Sequence, residues 1–310
     1  MNRREFVIGS AFGAVVLAST TAKGASRLNA SIFSRHLQFL SGSELPKVAK
    51  ELGFDGIGLT VRNGGHVEPN RVTQDLSPLV KLIRQEGLDV PMIATNIADA
   101  SSPFADDILR TAGELGIRLY RWGSFRYEGN APILPQLDAL KPRVEKLVGL
   151  NKKYNVTAAY HTFAGNTVGA SIWDLYYVLK DFDPKLVGYN FDSGHMTTEG
   201  AAGSWATNLR MTGAYLHNVS LKDYTWSQGQ NGQWTRRAVP LGQGIVRLPQ
   251  FFQILAQMNY TGGCELQTEY PLGGADTGQR TLTLPREDVY AAFRHDLQQI
   301  RDAAKTAGWM

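Results

Sequence analysis

A single cysteine, Cys264, is present among 310 residues, so no internal disulfide can form and an oxidising compartment contributes no covalent staple. Charge of one sign is also scarce. The formal net charge is +4, part of which belongs to the first 25 residues. Beyond those residues no apolar run is long and uncharged enough for a membrane helix. No Gly-x-Gly-x-x-Gly opens a first helix, which argues against an open dinucleotide-binding sheet. What is present is 43% hydrophobic and 19% charged with 32 glycines, the composition of a folded globular chain.

The start of the chain reads as an address. Arg3 and Arg4 precede Glu5-Phe6, an uncharged Ala/Gly/Val-rich run and then small residues, the pattern of a cleavable export signal over residues 1–25. The paired arginines resemble the bacterial twin-arginine signal, whose pathway carries folded cargo; an ordinary secretory signal beginning Arg-Arg is the alternative. Its removal takes away Arg3, Arg4 and Lys23 against Glu5, lowering the net charge to +2. Such a body offers no electrostatic case for nucleic acid. The expected mature protein, residues 26–310, is soluble and periplasmic, with no stable membrane anchor.

One pattern then repeats. Helical periodicity over residues 43–52, 76–84, 104–115, 144–154, 172–179, 205–209 and 248–258 alternates with strands. Those strands are expected over 54–61, 90–95, 117–122, 156–160, 186–191, 214–221 and 262–268. An opening strand near 31–34 and a closing helix over 287–304 complete eight units. Strict alternation implies parallel strands with right-handed crossovers, and eight units in one domain predict a closed (β/α)8 TIM barrel.

Barrels of this kind build sites at the C-terminal ends of their strands, and the polar residues gather there. The second strand leads to Arg62 and His66, the fifth ends at His161, and the sixth delivers Asp192 and His195. The seventh leads to Lys222, Asp223 and Trp226, and the eighth to Glu269. A carboxylate and an imidazole three residues apart suit a metal or proton-transfer site, although Asp-x-Gly is also turn chemistry. Side-chain alternation places Glu265, Gln267 and Glu269 on one face, and Asn218, Ser220 and Lys222 on another. His217 then faces the helices as a satisfied histidine. An inward Lys222 needs carboxylate partners, which Asp192 and Glu269 can supply. His36 and His66 are rim candidates with structural roles equally open, and His295 is assigned nothing. Trp122, Phe163, Tyr224, Trp226 and Tyr270 also fall at strand ends, where they suit a sugar ring or simple packing.

These stretches, with residues 53–60, 160–162, 191–195, 221–223 and 260–270, make the chain resemble the xylose-isomerase-like barrel superfamily, often described as sugar phosphate isomerases/epimerases. The resemblance implies a divalent ion held by Glu, Asp, His and Glu from the fifth to eighth strands. By position, Asp192 and Glu269 match. His161 stands in place of the first Glu, and Ser220 in place of the His, two residues before Lys222. The implied ligands are therefore His161, Asp192 and Glu269 around Mn, Mg or Zn, unless the Lys222 ammonium fills that point.

The resulting expectation is a metal-assisted sugar isomerase or epimerase acting next to a carbonyl, with His195, Lys222 and Glu269 as the pool for proton transfer. Arg62, His66 and Trp226 would contact a small-molecule carbohydrate. A keto-glycoside lyase working by β-elimination and a non-catalytic exported carbohydrate-binding barrel are the alternatives. An abasic-site endonuclease on the same barrel fits poorly with six histidines and no basic stripe. The oligomeric state is left open, a homo-oligomer included.

Overall fold

The computed structural model describes residues 28–200 and 203–309; the predicted export segment, residues 1–25, lies outside them. In chain order the elements are β1 (Ala30–Phe33), α1 (Glu44–Glu51), β2 (Gly56–Thr60), α2 (Val72–Gln85), β3 (Ile93–Ala94), α3 (Ala105–Glu114) and β4 (Leu119–Trp122). There follow α4 (Ile133–Tyr154), β5 (Thr157–His161), α5 (Ile172–Leu179), β6 (Val187–Asp192), α6 (Trp205–Thr212) and β7 (Leu216–Leu221). Then β8 (Asp223–Gln228) and β9 (Trp234–Val239) precede α7 (Leu248–Gln257), β10 (Gly263–Leu266) and α8 (Arg286–Thr306).

Eight of the strands close into a parallel barrel in the order β1-β10-β7-β6-β5-β4-β3-β2, as the alternation predicted. The helices form the outer layer. In α2 the residues Val72, Leu76, Leu79, Val80 and Ile83 are buried, one stripe at helical spacing that packs inward. The first three helices each end two residues before a predicted glycine stop, at Gly53, Gly87 and Gly116. No described helix is long and apolar enough to cross a membrane.

The structure departs from the sequence reading in three places. β3 keeps two residues of the expected six, because Pro91 brings no N–H to the ladder. α4 begins eleven residues before the predicted start and accommodates Pro142 inside it. The polar run after the seventh barrel strand is not a loop. It is the first arm of an antiparallel hairpin, β8–β9, paired from Asp223↔Val239 to Gln228↔Trp234. Asp223 anchors the return from that hairpin, its carboxylate accepting from the backbone N–H groups of Tyr224, Gly242, Gly244 and Val246 at 2.9–3.0 Å.

Candidate active site

Strand alternation decides which side chains enter the barrel. On β6, Tyr189 donates to the Ile172 carbonyl (3.0 Å) and Phe191 packs on Phe251, so Asn190 and Asp192 point inward. On β7, His217 lies 2.7 Å from the Pro184 carbonyl, as a histidine satisfied against the outer layer, leaving Asn218, Ser220 and Lys222 inside. The β10 stripe of Glu265, Gln267 and Glu269 enters beside them. A Cβ on Gly58 of β2 would stand 1.7 Å from Glu265 Oε1, so that glycine is what admits the carboxylate.

The interior is a hydrogen-bonded polar ladder. Asn190 Oδ1 accepts from Asn218 Nδ2 (3.0 Å) and Ser220 Oγ (2.9 Å). Gln267 Nε2 reaches Ser220 Oγ (3.1 Å) and Glu265 Oε2 (2.6 Å). Asn190 Nδ2 lies 3.1 Å from His161 Nδ1, a contact that orients the ring. Ser220, where the resemblance expects a histidine ligand, is spent in this ladder.

Above it sits the charged cluster. Asp192 is fully buried; its Oδ1 accepts from the His195 backbone N–H (2.8 Å), which turns Oδ2 toward His161 Nε2 (3.3 Å) and Lys222 Nζ (3.0 Å). Lys222 Nζ also lies 2.6 Å from Glu269 Oε1, and the Tyr224 hydroxyl donates to Glu269 Oε2. Burial opposes ionisation of Asp192, but Lys222 and the two imidazoles outweigh it and hold the carboxyl far below its ordinary range. Glu269, 30% exposed, is likewise opposed by burial and drawn down to about 2 by Lys222 and Tyr224. Burial, then Arg121, lowers His161 to about 3, so its imidazole is neutral at ordinary pH.

A second ring of residues frames the cluster. His195 lies against Phe163 and Tyr224, with ring centroids 5.5 and 5.9 Å apart, and its Nδ1 is 3.3 Å from Arg236 Nη1. The Arg236 guanidinium covers the Tyr224 ring at 4.1 Å. Tyr224 and Arg236 come from the two arms of the hairpin, whose register puts Trp226 directly opposite Arg236. Gly194 leaves room for this wall: a Cβ there would stand 2.4 Å from the Tyr224 ring and 2.9 Å from Lys222 Cγ.

His161, Asp192, His195, Lys222 and Glu269 are thus brought together, though not in the predicted grouping. The expected ligand set of His161, Asp192 and Glu269 is divided here, because the Lys222 ammonium bridges the two carboxylates. Ligand atoms of His161, Asp192 and His195 instead lie within 4.8 Å of one another. His161 Nε2 and Asp192 Oδ2 are buried without an aligned hydrogen-bond partner; the 3.0 Å contact from Lys222 to that oxygen is electrostatic. An N/O donor set with a neutral imidazole and two unsatisfied atoms fits a divalent ion.

Arg62 enters the mouth, its guanidinium 5.2 Å from the Phe33 ring centroid. His66 does not join the cluster: Thr60 Oγ1 lies 3.3 Å from its Nδ1, and burial lowers it to about 4. Trp226 is 41% exposed on the hairpin, beyond the cluster. His36 is structural, accepting from the Thr268 N–H (2.9 Å) and facing the Ala275 carbonyl (3.1 Å). Sequence reasoning missed Arg121 and Arg236. Arg121 was discoverable, since Tyr120 and Trp122 are the apolar pair and parity sends residue 121 inward. Arg236 lies in a polar stretch that carries no apolar alternation to mark a strand.

Taken together, the fold and this mouth define a (β/α)8 barrel with a polar interior and a charged cluster at the C-terminal ends of its strands. Residues 46–292 match the family model described as xylose isomerase-like TIM barrel, and the chain belongs to that family. No curated protein matches the sequence. Among solved structures, the fold is similar to that of an L-ribulose 3-epimerase (16% identity, TM-score 0.67, covering 91% of this chain and 96% of that one). It is also similar to the IOLI protein with a bound zinc atom (13%, TM-score 0.70, 91% and 99%). A third is 3-keto-D-glucoside 4-epimerase from E. coli (15%, TM-score 0.65, 89% and 100%). At these identities the likeness is one of fold.

Proposed function

We propose that the chain is a sugar isomerase or epimerase that moves a proton on the carbon beside a carbonyl. The observation that carries this reading is Glu269: an ionised, partly exposed carboxylate at the mouth, fixed by Lys222 and Tyr224 beside a buried donor set. Glu269 is placed to take the proton from a sugar seated in the mouth, and the Lys222 ammonium holds it in position. Burial keeps the Tyr224 hydroxyl protonated, so it acts as a hydrogen-bond donor. His161, Asp192 and His195 would hold a divalent ion, Mn, Mg or Zn, which when bound supplies Lewis-acid polarisation of a sugar carbonyl. The fold neighbours named as epimerases support the reaction class, and the zinc-bound neighbour supports the ion. The test is solvent deuterium entering a panel of aldoses and ketoses. Exchange should be present in the metal-loaded protein and fall by about 10²–10⁴-fold in Glu269→Gln. A folded, metal-loaded protein that exchanges no sugar would sink the reading.

The hairpin favours a second reading. Tyr224 and Trp226 share one of its faces, an aromatic pair that runs outward from the cluster. One fold neighbour is named for a keto-glucoside. On a keto-glycoside the same proton removal expels the group two atoms away, making the protein a lyase; release of an aglycone distinguishes it. Binding without turnover or metal would point instead to a carbohydrate-binding barrel.

For the first 25 residues we propose export by the twin-arginine pathway to the periplasm. Replacing Arg3 and Arg4 by lysine should retain the protein in the cytoplasm; unchanged export would assign an ordinary secretory signal.

A further inference from the structure

Two arginines of the mouth have no polar partner among the described residues. Arg62, just beyond β2, and Arg121, on β4, lie over the same aromatic ring, their guanidinium carbons 5.2 and 5.8 Å from the Phe33 centroid. Arg121 also lies 5.5 Å from the Phe163 ring, whose other neighbours are His161 and His195 at 4.5 and 5.5 Å. This aromatic packing joins the arginines to the charged cluster. Among the described residues, neither side chain makes a hydrogen bond or an ion pair, although both are half-buried. Each guanidinium carries five N–H donors, and a half-buried cation left without acceptors is costly.

Glu265 is the nearest candidate partner within the barrel. Its Oε2 is taken by Gln267, its Oε1 has no hydrogen bond, and no contact within 4.0 Å joins it to either arginine. Burial raises its pKa, which weakens it further as a counter-charge. Asp192 and Glu269 are already engaged by Lys222. Two cations therefore remain with paired donors and no acceptor among the described residues.

We propose that Arg62 and Arg121 form an oxyanion cradle, so that the substrate is an acidic carbohydrate whose carboxylate or phosphate docks on them while its carbonyl end faces the His161–Glu269 cluster. Planar forked donors match a carboxylate or phosphate through paired hydrogen bonds. The substrate class rests on the isomerase/epimerase reading, and the cradle itself does not.

The test separates the two. Calorimetric binding to the full chain is measured for D-glucose, D-glucuronate, D-glucose 6-phosphate and inorganic phosphate, with solvent deuterium exchange followed on the same sugars. An acidic sugar is expected to bind about tenfold or more tighter than glucose, with the preference lost in both Arg62→Gln and Arg121→Gln and partly kept in Arg121→Lys. Glucuronate against glucose 6-phosphate identifies the anion, and inorganic phosphate reports the cradle alone. Melting temperatures confirm that the variants are folded; if one is not, the wild-type preference and its loss at high salt decide. Equal binding of glucose and both acids, or a preference that survives in both folded glutamine variants, overturns the cradle. Arginine-dependent binding without exchange of any sugar leaves the cradle standing and removes the isomerase reading. Exchange with neutral sugars and no acid preference does the reverse.

Discussion

Lys222 Nζ lies 2.6 Å from Glu269 Oε1 and 3.0 Å from Asp192 Oδ2, a bridge between carboxylates of the sixth and eighth barrel strands. The side chain is 2% exposed and Asp192 is fully buried, so the pairing is made away from water. Removing one member of such a cluster leaves the others uncompensated. Lys222→Met should cost about 3–5 kcal/mol of stability by denaturant unfolding. It should also raise the Glu269 carboxyl from about 2 toward or above its ordinary value, visible by NMR titration. If stability is unchanged, the bridge contributes nothing.

The same variant tests the ion site. In the wild type Lys222 competes for Asp192 Oδ2, so added Mn, Mg or Zn should raise the melting temperature only modestly. In Lys222→Met the rise should be larger, because the cation can replace the ammonium. His161→Ala should abolish the rise in both backgrounds. A metal-induced shift that ignores His161 would place the ion elsewhere.

Two buried histidines and one half-buried one are held neutral: His36 and the half-buried His66 are lowered to about 4 and His161 to about 3, chiefly by burial. The unfolded chain takes up protons on these rings below about pH 6.5, and the native state does not until far lower. Stability should therefore fall on acidification from about pH 6.5 toward pH 4, by up to about 1.4 kcal/mol per pH unit for each ring. Acidification below pH 4 also removes the contribution of Glu269, whose native pKa is depressed. Proton-detected histidine titration should show these rings unprotonated at pH 5.

Asp223 satisfies four backbone N–H groups with one carboxylate. Asp223→Ala leaves those donors without their acceptor and should cost about 2–4 kcal/mol. Proteolysis should then cut first in the hairpin or in the return to α7.

At Gly194 the backbone passes under the Tyr224 ring. Gly194→Ala should displace Tyr224 and Lys222 and lower turnover more than substrate affinity, while Gly203→Ala, which meets nothing within 4 Å, should be silent. Equal kinetics for the two would show that the wall tolerates movement.

The barrel was legible because each strand and helix announces itself locally: apolar alternation on the strands, a stripe such as Val72 to Ile83 on the helices, and glycines after them. The gathering of His161, Asp192, His195, Lys222 and Glu269 was legible for a related reason, since parity and the C-terminal rule place them without knowledge of any contact. Which atoms meet was not. Whether Lys222 joins Glu269 to Asp192 or leaves them to an ion depends on side-chain reach across strands, which one-dimensional spacing does not encode. Hairpin β8–β9 was missed although Tyr224 and Trp226 alternate with polar residues on its first arm, because the second arm, Trp234–Val239, carries paired arginines and no clear alternation, and Arg236 went with it. Arg62 lies over the Phe33 ring, and the His66 ring is held by Thr60 at the end of β2.

Only one residue, Lys222, separates the end of β7 from the start of β8. The hairpin consequently has no slack at its root. Any tilt of the arms carrying Trp226 and Trp234 bears on that joint and drags the lysine and the tyrosine that grip Glu269. A molecule long enough to lean on the outer arm would thus press a lever whose short end is the Glu269 carboxylate.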